Sequence, residues 1–247
     1  MNPVLRSAVH DAPMGLFCLV PRAILALDLA ARPMVEMTAK TKTDAWVYEL
    51  RISRQEILPP IWRLIHVPSA LRLCCLHDAL QAVIGWTDSD LHRFEKDGKQ
   101  WGVPEHFEHF EDDDDDIDII DESGARIGDI LTTPGDSVLY VYDFGDNWRH
   151  SVVLEKTLPA SAPMVRPVCV AGERHCPPED VGGVPGYQEF LEVVFDPSHE
   201  EFDHYVQWAG GPSPVNQSVG RFQPEEFDLR TVNAALSRMR WPARHRR

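Results

Sequence analysis

Apolar and polar residues alternate along the chain from Trp46 onwards. Tyr48, Leu50 and Ile52 share one phase of this alternation, and mostly polar side chains occupy the other phase. A period of two residues is typical of a strand that buries one face. The sequence therefore predicts a half-buried strand at 46–52.

A second apolar run, 61–67, follows a double proline. Its apolar positions are Ile61, Leu64 and Ile65. The short loop between the two runs favours antiparallel pairing. Apolar residues then recur at helical spacing over 73–84, which predicts a helix that is capped by Ser69 and ends at Gly85.

Two further hairpins are predicted in the middle of the chain. Segments 91–96 and 99–103 flank Asp97-Gly98, a dipeptide that favours a tight two-residue turn. Segments 137–144 and 150–156 alternate in the same way on either side of a glycine-containing turn. We therefore expect two more antiparallel strand pairs.

The last third of the chain is predicted to be mostly helical. Helical patterns occupy 187–195, 199–208 and 225–239, after a proline-rich stretch at 159–167. Strands come first and helices follow, without the βαβ alternation of a doubly wound sheet. The predicted fold class is α+β, an antiparallel sheet of hairpins with one early helix and a helical C-terminal part.

Three segments depart from this pattern. Residues 1–44 lack alternation and caps, so they are predicted to be a poorly ordered N-terminal extension. The acidic segment 105–122 is predicted to be a solvated loop, because its successive aspartates repel one another. Residues 239–247 form a basic tail, which leaves 45–238 as the α+β domain.

Charge and cysteine content narrow the function classes. The formal net charge of −15 repels phosphate backbones, so direct nucleic-acid binding is disfavoured. Five cysteines, an odd number in a chain of 247 residues, do not form a secreted disulfide framework. The apolar stretch 14–31 is interrupted by Pro21, Arg22 and Asp28, so neither a membrane span nor a signal peptide is expected. We expect a cytoplasmic protein.

The densest group of reactive side chains lies at the turn of the later hairpin. It contains Asp143, Asp146, Trp148 and His150. Two carboxylates and an imidazole can bind a metal, or act as a base and the group that orients it. Alternatively, Asp146 and Asn147 form the turn, and Asp143 and His150 pin the hairpin through hydrogen bonds.

A second group follows the proline-rich stretch. It contains Cys169, Cys176, Glu179 and Asp180. Six residues between the cysteines exceed the usual spacing of a zinc pair, so a metal site needs a further ligand such as His150. The alternative is that both thiols pack in the interior and the carboxylates cap the next helix.

These motifs carry a family resemblance over about residues 45–237. They are Pro59-Pro60-Ile61-Trp62-Arg63, Gly85-Trp86 with His92-x-Phe94, the segment from Tyr142 to His150, and Cys169 with the segment from Cys176 to Tyr187. In these motifs the chain resembles the plasmid pRiA4b open-reading-frame-three-like family, which also appears as a passenger protein of some transposable elements. The resemblance implies an α+β fold and a bacterial, mobile-element context, and no established catalytic activity.

The sequence suggests that His92, the Asp143 hairpin and the Cys176 loop converge on one polar cleft. We interpret the protein as a binding or accessory module, with a protein as a possible partner. The alternatives are a metal-dependent hydrolase that uses the same cleft and a DNA-associated accessory factor that uses the arginine-rich tail. The sequence identifies no cofactor.

Overall fold

The computed structural model describes residues 46–108, 118–160, 164–209 and 222–241. The predicted N-terminal extension, the aspartate run Asp112–Asp116 and residues 242–247 of the basic tail lie outside the described residues.

One eight-stranded sheet forms the framework of the described chain. Its strands are β1 (Trp46–Arg54), β2 (Trp62–Pro68), β3 (His92–Lys96), β4 (Lys99–Gly102), β5 (Ile119–Asp121), β6 (Ser137–Tyr142), β7 (Trp148–Pro159) and β8 (Val168–Glu173). They lie in the order β5-β4-β3-β6-β7-β1-β2-β8. Neighbours pair antiparallel except β4 and β5, which are parallel. The three predicted hairpins are therefore confirmed.

Five helices accompany the sheet in the described residues. They are α1 (Leu73–Ile84), α2 (Ile127–Ile130), α3 (Gly183–Phe195), α4 (Phe202–Ala209) and α5 (Leu229–Arg238). Helix α1 packs on the face of the sheet that carries Tyr140, since the ring of His77 and the amide of Gln81 both bond to the Tyr140 hydroxyl. The predicted α+β class is confirmed. None of the described helices has the length and apolarity needed to cross a membrane.

The prediction that Ser69 caps α1 is wrong. The residue at the cap position is Arg72, which makes no side-chain cap bond. Instead, the Leu73 N–H donates to the carbonyl of Ala125, and the Ser69 carbonyl accepts from the Gly128 N–H. A neighbouring segment thus satisfies a backbone donor that a capping side chain satisfies in other helices.

Strand β8 was not predicted, because the sequence after 167 was expected to be helical. Val168–Glu173 instead pairs with β2 at the edge of the sheet, with Trp62 opposite Glu173. The later helices also begin further along the chain than predicted, α4 at Phe202 and α5 at Leu229.

Two polar residues that we did not expect in the core, Arg63 and Glu122, are buried. In β2 the buried positions are Arg63, Ile65 and Val67, whereas Leu64 is only half-buried. The acidic segment also ends inside the protein, because Glu122 is 3% exposed and contacts His92. The prediction of a wholly solvated loop over 105–122 is therefore wrong for this end of it.

Candidate functional site

The turn between β6 and β7 is built by its own aspartates. Asp143 and Asn147 adopt left-handed backbone angles, with φ of 54° and 50°. The Oδ1 atom of Asp143 accepts hydrogen bonds from the backbone N–H groups of Gly145 (2.9 Å) and Asp146 (3.0 Å). The Oδ2 atom of Asp146 accepts from the Gly182 N–H at 3.0 Å. The turn is thereby tied to the start of α3.

Glu179 joins three segments that are distant in sequence. Its carboxylate accepts from the Thr87 N–H (2.9 Å), the Thr87 hydroxyl (2.5 Å), the Ser89 hydroxyl (3.0 Å) and the Tyr142 hydroxyl. Burial alone raises the pKa of Glu179, but the bonds from Thr87 and Tyr142 outweigh it and hold the pKa below its ordinary value. The loop between α1 and β3 is therefore hydrogen-bonded to the loop 176–182, which precedes α3.

Three carboxylates lie close together beside the junction of the loop 86–90 with the loop 176–182. One oxygen from each of Asp90, Asp143 and Asp180 lies within 4.8 Å of the others. Burial raises the pKa of Asp143 and of Asp180, and neighbouring carboxylates, Asp146 for the first and Asp90 for the second, raise both further. Oxygen ligands in such a group suit a hard divalent cation.

Trp148 and His150 lie beneath the turn and are almost fully buried. The Nη1 atom of Arg54 lies 2.8 Å from Nε2 of His150, and the guanidinium carbon lies 3.3 Å from the centre of the Trp148 ring. Burial, followed by the charge of Arg54, lowers the pKa of His150 well below its ordinary value. His150 is therefore neutral and hydrogen-bonded to Arg54, which the sequence did not single out.

His92 belongs to a different cluster, between α1 and β3. Its ring stacks on that of His77 with 3.5 Å between centroids, and its Nε2 lies 2.9 Å from the Glu122 carboxylate. The Nε2 atom of His77 lies 2.8 Å from Asp88, so His77, Asp88 and His92 form a second group with metal-type ligands. Burial lowers the pKa of His92, although the bond to Glu122 opposes this.

The two cysteines of the second sequence motif are buried and separately engaged. The Cys169 thiol points to the carbonyl of Ala171, and burial raises its pKa to about 11. The Cys176 sulfur accepts from Nη2 of Arg63 at 3.2 Å. Within the described residues, neither of the two metal-type groups contains Cys169, Cys176 or His150.

The structure thus brings together part of the predicted cleft. The junction of the turn 143–147 with the loop 176–182 is surrounded by Asp143, Asp146, Glu179 and Asp180. Trp148 and His150 lie beneath this junction. His92 lies in a separate cluster with His77. Asp90 and Tyr142 also line the junction, and sequence reasoning missed their roles. The loop 86–90 connects both clusters, because Asp88 faces the histidines while Thr87 and Ser89 face Glu179.

The chain is similar in sequence to known proteins, one of which has a crystal structure. Residues 46–231 match the family described as plasmid pRiA4b ORF-3-like protein. The chain is 39% identical over 166 residues to the uncharacterized protein y4hQ of Sinorhizobium fredii (strain NBRC 101917 / NGR234), covering 67% of this chain and 82% of y4hQ. The chain is also similar to MM3350, a protein of unknown function from Methanosarcina mazei Go1, with 38% sequence identity. The TM-score to the crystal structure of MM3350 is 0.63, and the match covers 76% of this chain and 97% of MM3350. The chain therefore belongs to the plasmid pRiA4b ORF-3-like family.

Proposed function

We propose that this protein is a binding module whose ligand site is the junction of the loop 86–90, the turn 143–147 and the loop 176–182. The observation that carries the proposal is the fourfold hydrogen bonding of Glu179, which links the loop 176–182 to Thr87 and Ser89 and to Tyr142, the last residue of β6 before the turn. Loops held in one arrangement lose little further entropy when a ligand binds between them.

The ionisation of the candidate catalytic groups favours binding over hydrolysis. His150 is buried and neutral and has Arg54, not a nucleophile, at its Nε2 atom. Burial raises the pKa of Cys169 to about 11, which keeps its thiol protonated near neutral pH. A nucleophile with a base within hydrogen-bond reach is the usual signature of covalent hydrolysis.

A screen by thermal shift tests this proposal with a matched pair of variants. Compounds that raise the melting temperature of the wild type are measured again on Glu179→Ala and on Glu192→Ala, an exposed glutamate of α3. We expect the shift to be lost in the first variant and kept in the second, because Glu179 bonds to the loop 86–90 whereas Glu192 is exposed on α3. Equal shifts in the two variants contradict a ligand site at the junction.

The alternative proposal is a metal-dependent hydrolase, and the Asp90, Asp143 and Asp180 group is the observation that favours it. Elemental analysis and calorimetric titration with Mg²⁺ and Mn²⁺ test it, with Asp180→Asn as the variant that removes one ligand. Metal binding that Asp180→Asn abolishes, together with metal-dependent turnover of an ester or phosphodiester, supports the hydrolase over the binding module.

The setting that we propose with either function is the cytoplasm of a bacterium that carries mobile elements. The family's plasmid description and the odd number of cysteines support that setting. A DNA-associated accessory role is supported only by the basic tail, of which residues 239–241 are described.

A further inference from the structure

Three arginines are buried in the described part of the chain. Arg54 and Arg63 are each 4% exposed, and Arg174 is 8% exposed. A guanidinium carries five N–H donors and a charge that it keeps at neutral pH, so burying one without partners is unfavourable. Their hydrogen bonds can therefore be compared directly.

Two of the three arginines have a partner at every nitrogen. Nε of Arg63 donates to the Val83 carbonyl, Nη1 to two further carbonyls, and Nη2 to the Cys176 sulfur. Nε and Nη2 of Arg174 both bond to the carboxylate of Glu225, and Nη1 donates to the Pro59 carbonyl. At two positions the fold thus gives each nitrogen of a buried guanidinium a partner.

Arg54 is different, because only its Nη1 atom has a partner, His150. Its Nε and Nη2 atoms are buried and have no hydrogen-bond partner among the described residues. These two nitrogens form one edge of the guanidinium and point their N–H bonds in nearly parallel directions, which is the geometry that holds both oxygens of a carboxylate. Burial lowers the pKa of Arg54 to about 9, which still leaves it charged at neutral pH.

Two further unpartnered polar groups lie near Arg54, and the charge of the Asp146 carboxylate also reaches it and raises its pKa. Arginine can only donate, so Nε2 of His150 must be the acceptor of their bond, and the proton of the neutral ring lies on Nδ1. The indole Nε1 of Trp148 and the hydroxyl of Tyr187 are likewise buried without a partner among the described residues, whereas the Nδ1–H of His150 points away from Arg54. A water molecule brings two donors of its own, whereas an anion brings acceptors alone.

We infer that Arg54, oriented by His150 and accompanied by Trp148 and Tyr187, forms a binding site for the carboxylate of a small acid. Arg54 brings one buried positive charge, which the Asp146 carboxylate already partly offsets, so a singly charged carboxylate fits better than a doubly charged phosphate. The rings of Trp148 and Trp86 lie 3.3 Å and 5.3 Å from the guanidinium carbon, and this enclosure restricts the ligand to a small one. The inference rests on the proposed binding function and names the chemical class of its ligand.

Melting temperatures in sodium acetate, phosphate and chloride at equal ionic strength and pH test the inference. We expect acetate to raise the melting temperature of the wild type by about 2 °C or more over chloride, because only the folded state binds it. The rise should be lost in Arg54→Met and in Arg54→Lys, which keeps the charge but not the paired N–H groups. It should be kept in Arg149→Met, since Arg149 alternates with Trp148 and His150 along β7 and points to the other face.

A crystal structure of the wild type grown in acetate tests the same point without any variant. Acetate oxygens at hydrogen-bond distance from Nε and Nη2 support the inference, and ordered waters at both nitrogens overturn it. A larger shift with phosphate than with acetate, or equal shifts in Arg54→Met and the wild type, also overturns it. If acetate fails while ligands that depend on Glu179 are still found, only the ligand class is wrong; if neither is found, the binding function fails as well.

Discussion

Replacing Glu122 with Ala should destabilise the protein, although Glu122 belongs to a segment whose composition predicts a solvated loop. Its side chain is 3% exposed and lies 2.9 Å from Nε2 of His92, which is 6% exposed. The substitution removes the partner of a buried ring nitrogen.

The size of the effect follows from that single lost bond. A buried polar group without a partner costs about 1–3 kcal/mol of unfolding free energy. In a domain of this size, each kcal/mol lowers the melting temperature by about 2–4 °C, so Glu122→Ala should melt about 2–12 °C below the wild type. Glu122→Gln keeps an oxygen that can accept from His92, so its loss should be smaller.

Thermal melts followed by tryptophan fluorescence measure this difference, with Glu108→Ala as the control. Glu108 lies near the other end of the same acidic segment and is exposed, so its loss should leave the melting temperature nearly unchanged. The bond to Glu122 favours the protonated form of His92, so without it the pKa of His92 falls further. The deficit of Glu122→Ala should therefore grow as the pH falls from 7 to 5. Identical melting temperatures for Glu122→Ala and Glu108→Ala would refute the reasoning.

Two other predictions concern titration and backbone strain. Burial lowers the pKa of three histidines below the ordinary value of 6.5; they are His92, His150 and His175. The unfolded chain takes up protons there that the folded chain does not, so the free energy of unfolding should fall as the pH drops through about 6.5, and urea titrations from pH 8 to 5 measure it. Gly183→Ala should cost about 1–3 kcal/mol, because φ is +69° and the new Cβ lies 2.7 Å from the Asp146 carbonyl oxygen. Gly98→Ala, which has φ of +75° but nothing within 4 Å, is the control that isolates the contact, and equal losses in urea unfolding would contradict it.

The sequence was most informative where structure depends on local backbone chemistry. Asp97-Gly98 was predicted to form a two-residue turn, and both residues have positive φ, 51° and 75°, between β3 and β4. These are the angles that such a turn requires at its two central positions. Nothing distant in sequence is needed to specify them.

Strand β8 shows the limit of local information. Its extended state depends on pairing with β2, about 100 residues earlier, and its own sequence carries no clear alternation. Gly172 is required there by neighbours from elsewhere, since an added Cβ would lie 2.7 Å from the Phe227 ring and 2.9 Å from the Arg63 side chain. A glycine chosen by a packing contact looks like a strand breaker when read locally.

The candidate site depends on distant pairings in the same way. Glu179 was singled out from its motif, but its partners Thr87 and Ser89 lie about 90 residues earlier in a loop without any reactive motif. His92 was expected in the same cleft as Asp143, but the ring that stacks on it, His77, comes from α1. The residue types suggested the candidate site residues, but which of these residues lie together depends on the order of the strands in the sheet.

The alternation of apolar and polar residues in β1 and β2 nevertheless indicated that two arginines, Arg54 and Arg63, are buried. Arg54 continues the phase of Leu50 and Ile52, and Arg63 shares the phase of Ile65 and Val67, so both arginines occupy core positions of the pattern. A charged residue in that phase must either find partners inside the protein or serve a ligand. The sequence could have identified both arginines as buried, but not which of the two is satisfied. That depends on the carbonyl groups of Val83 and Glu173, which reach Arg63 from other elements and leave one edge of Arg54 without an acceptor.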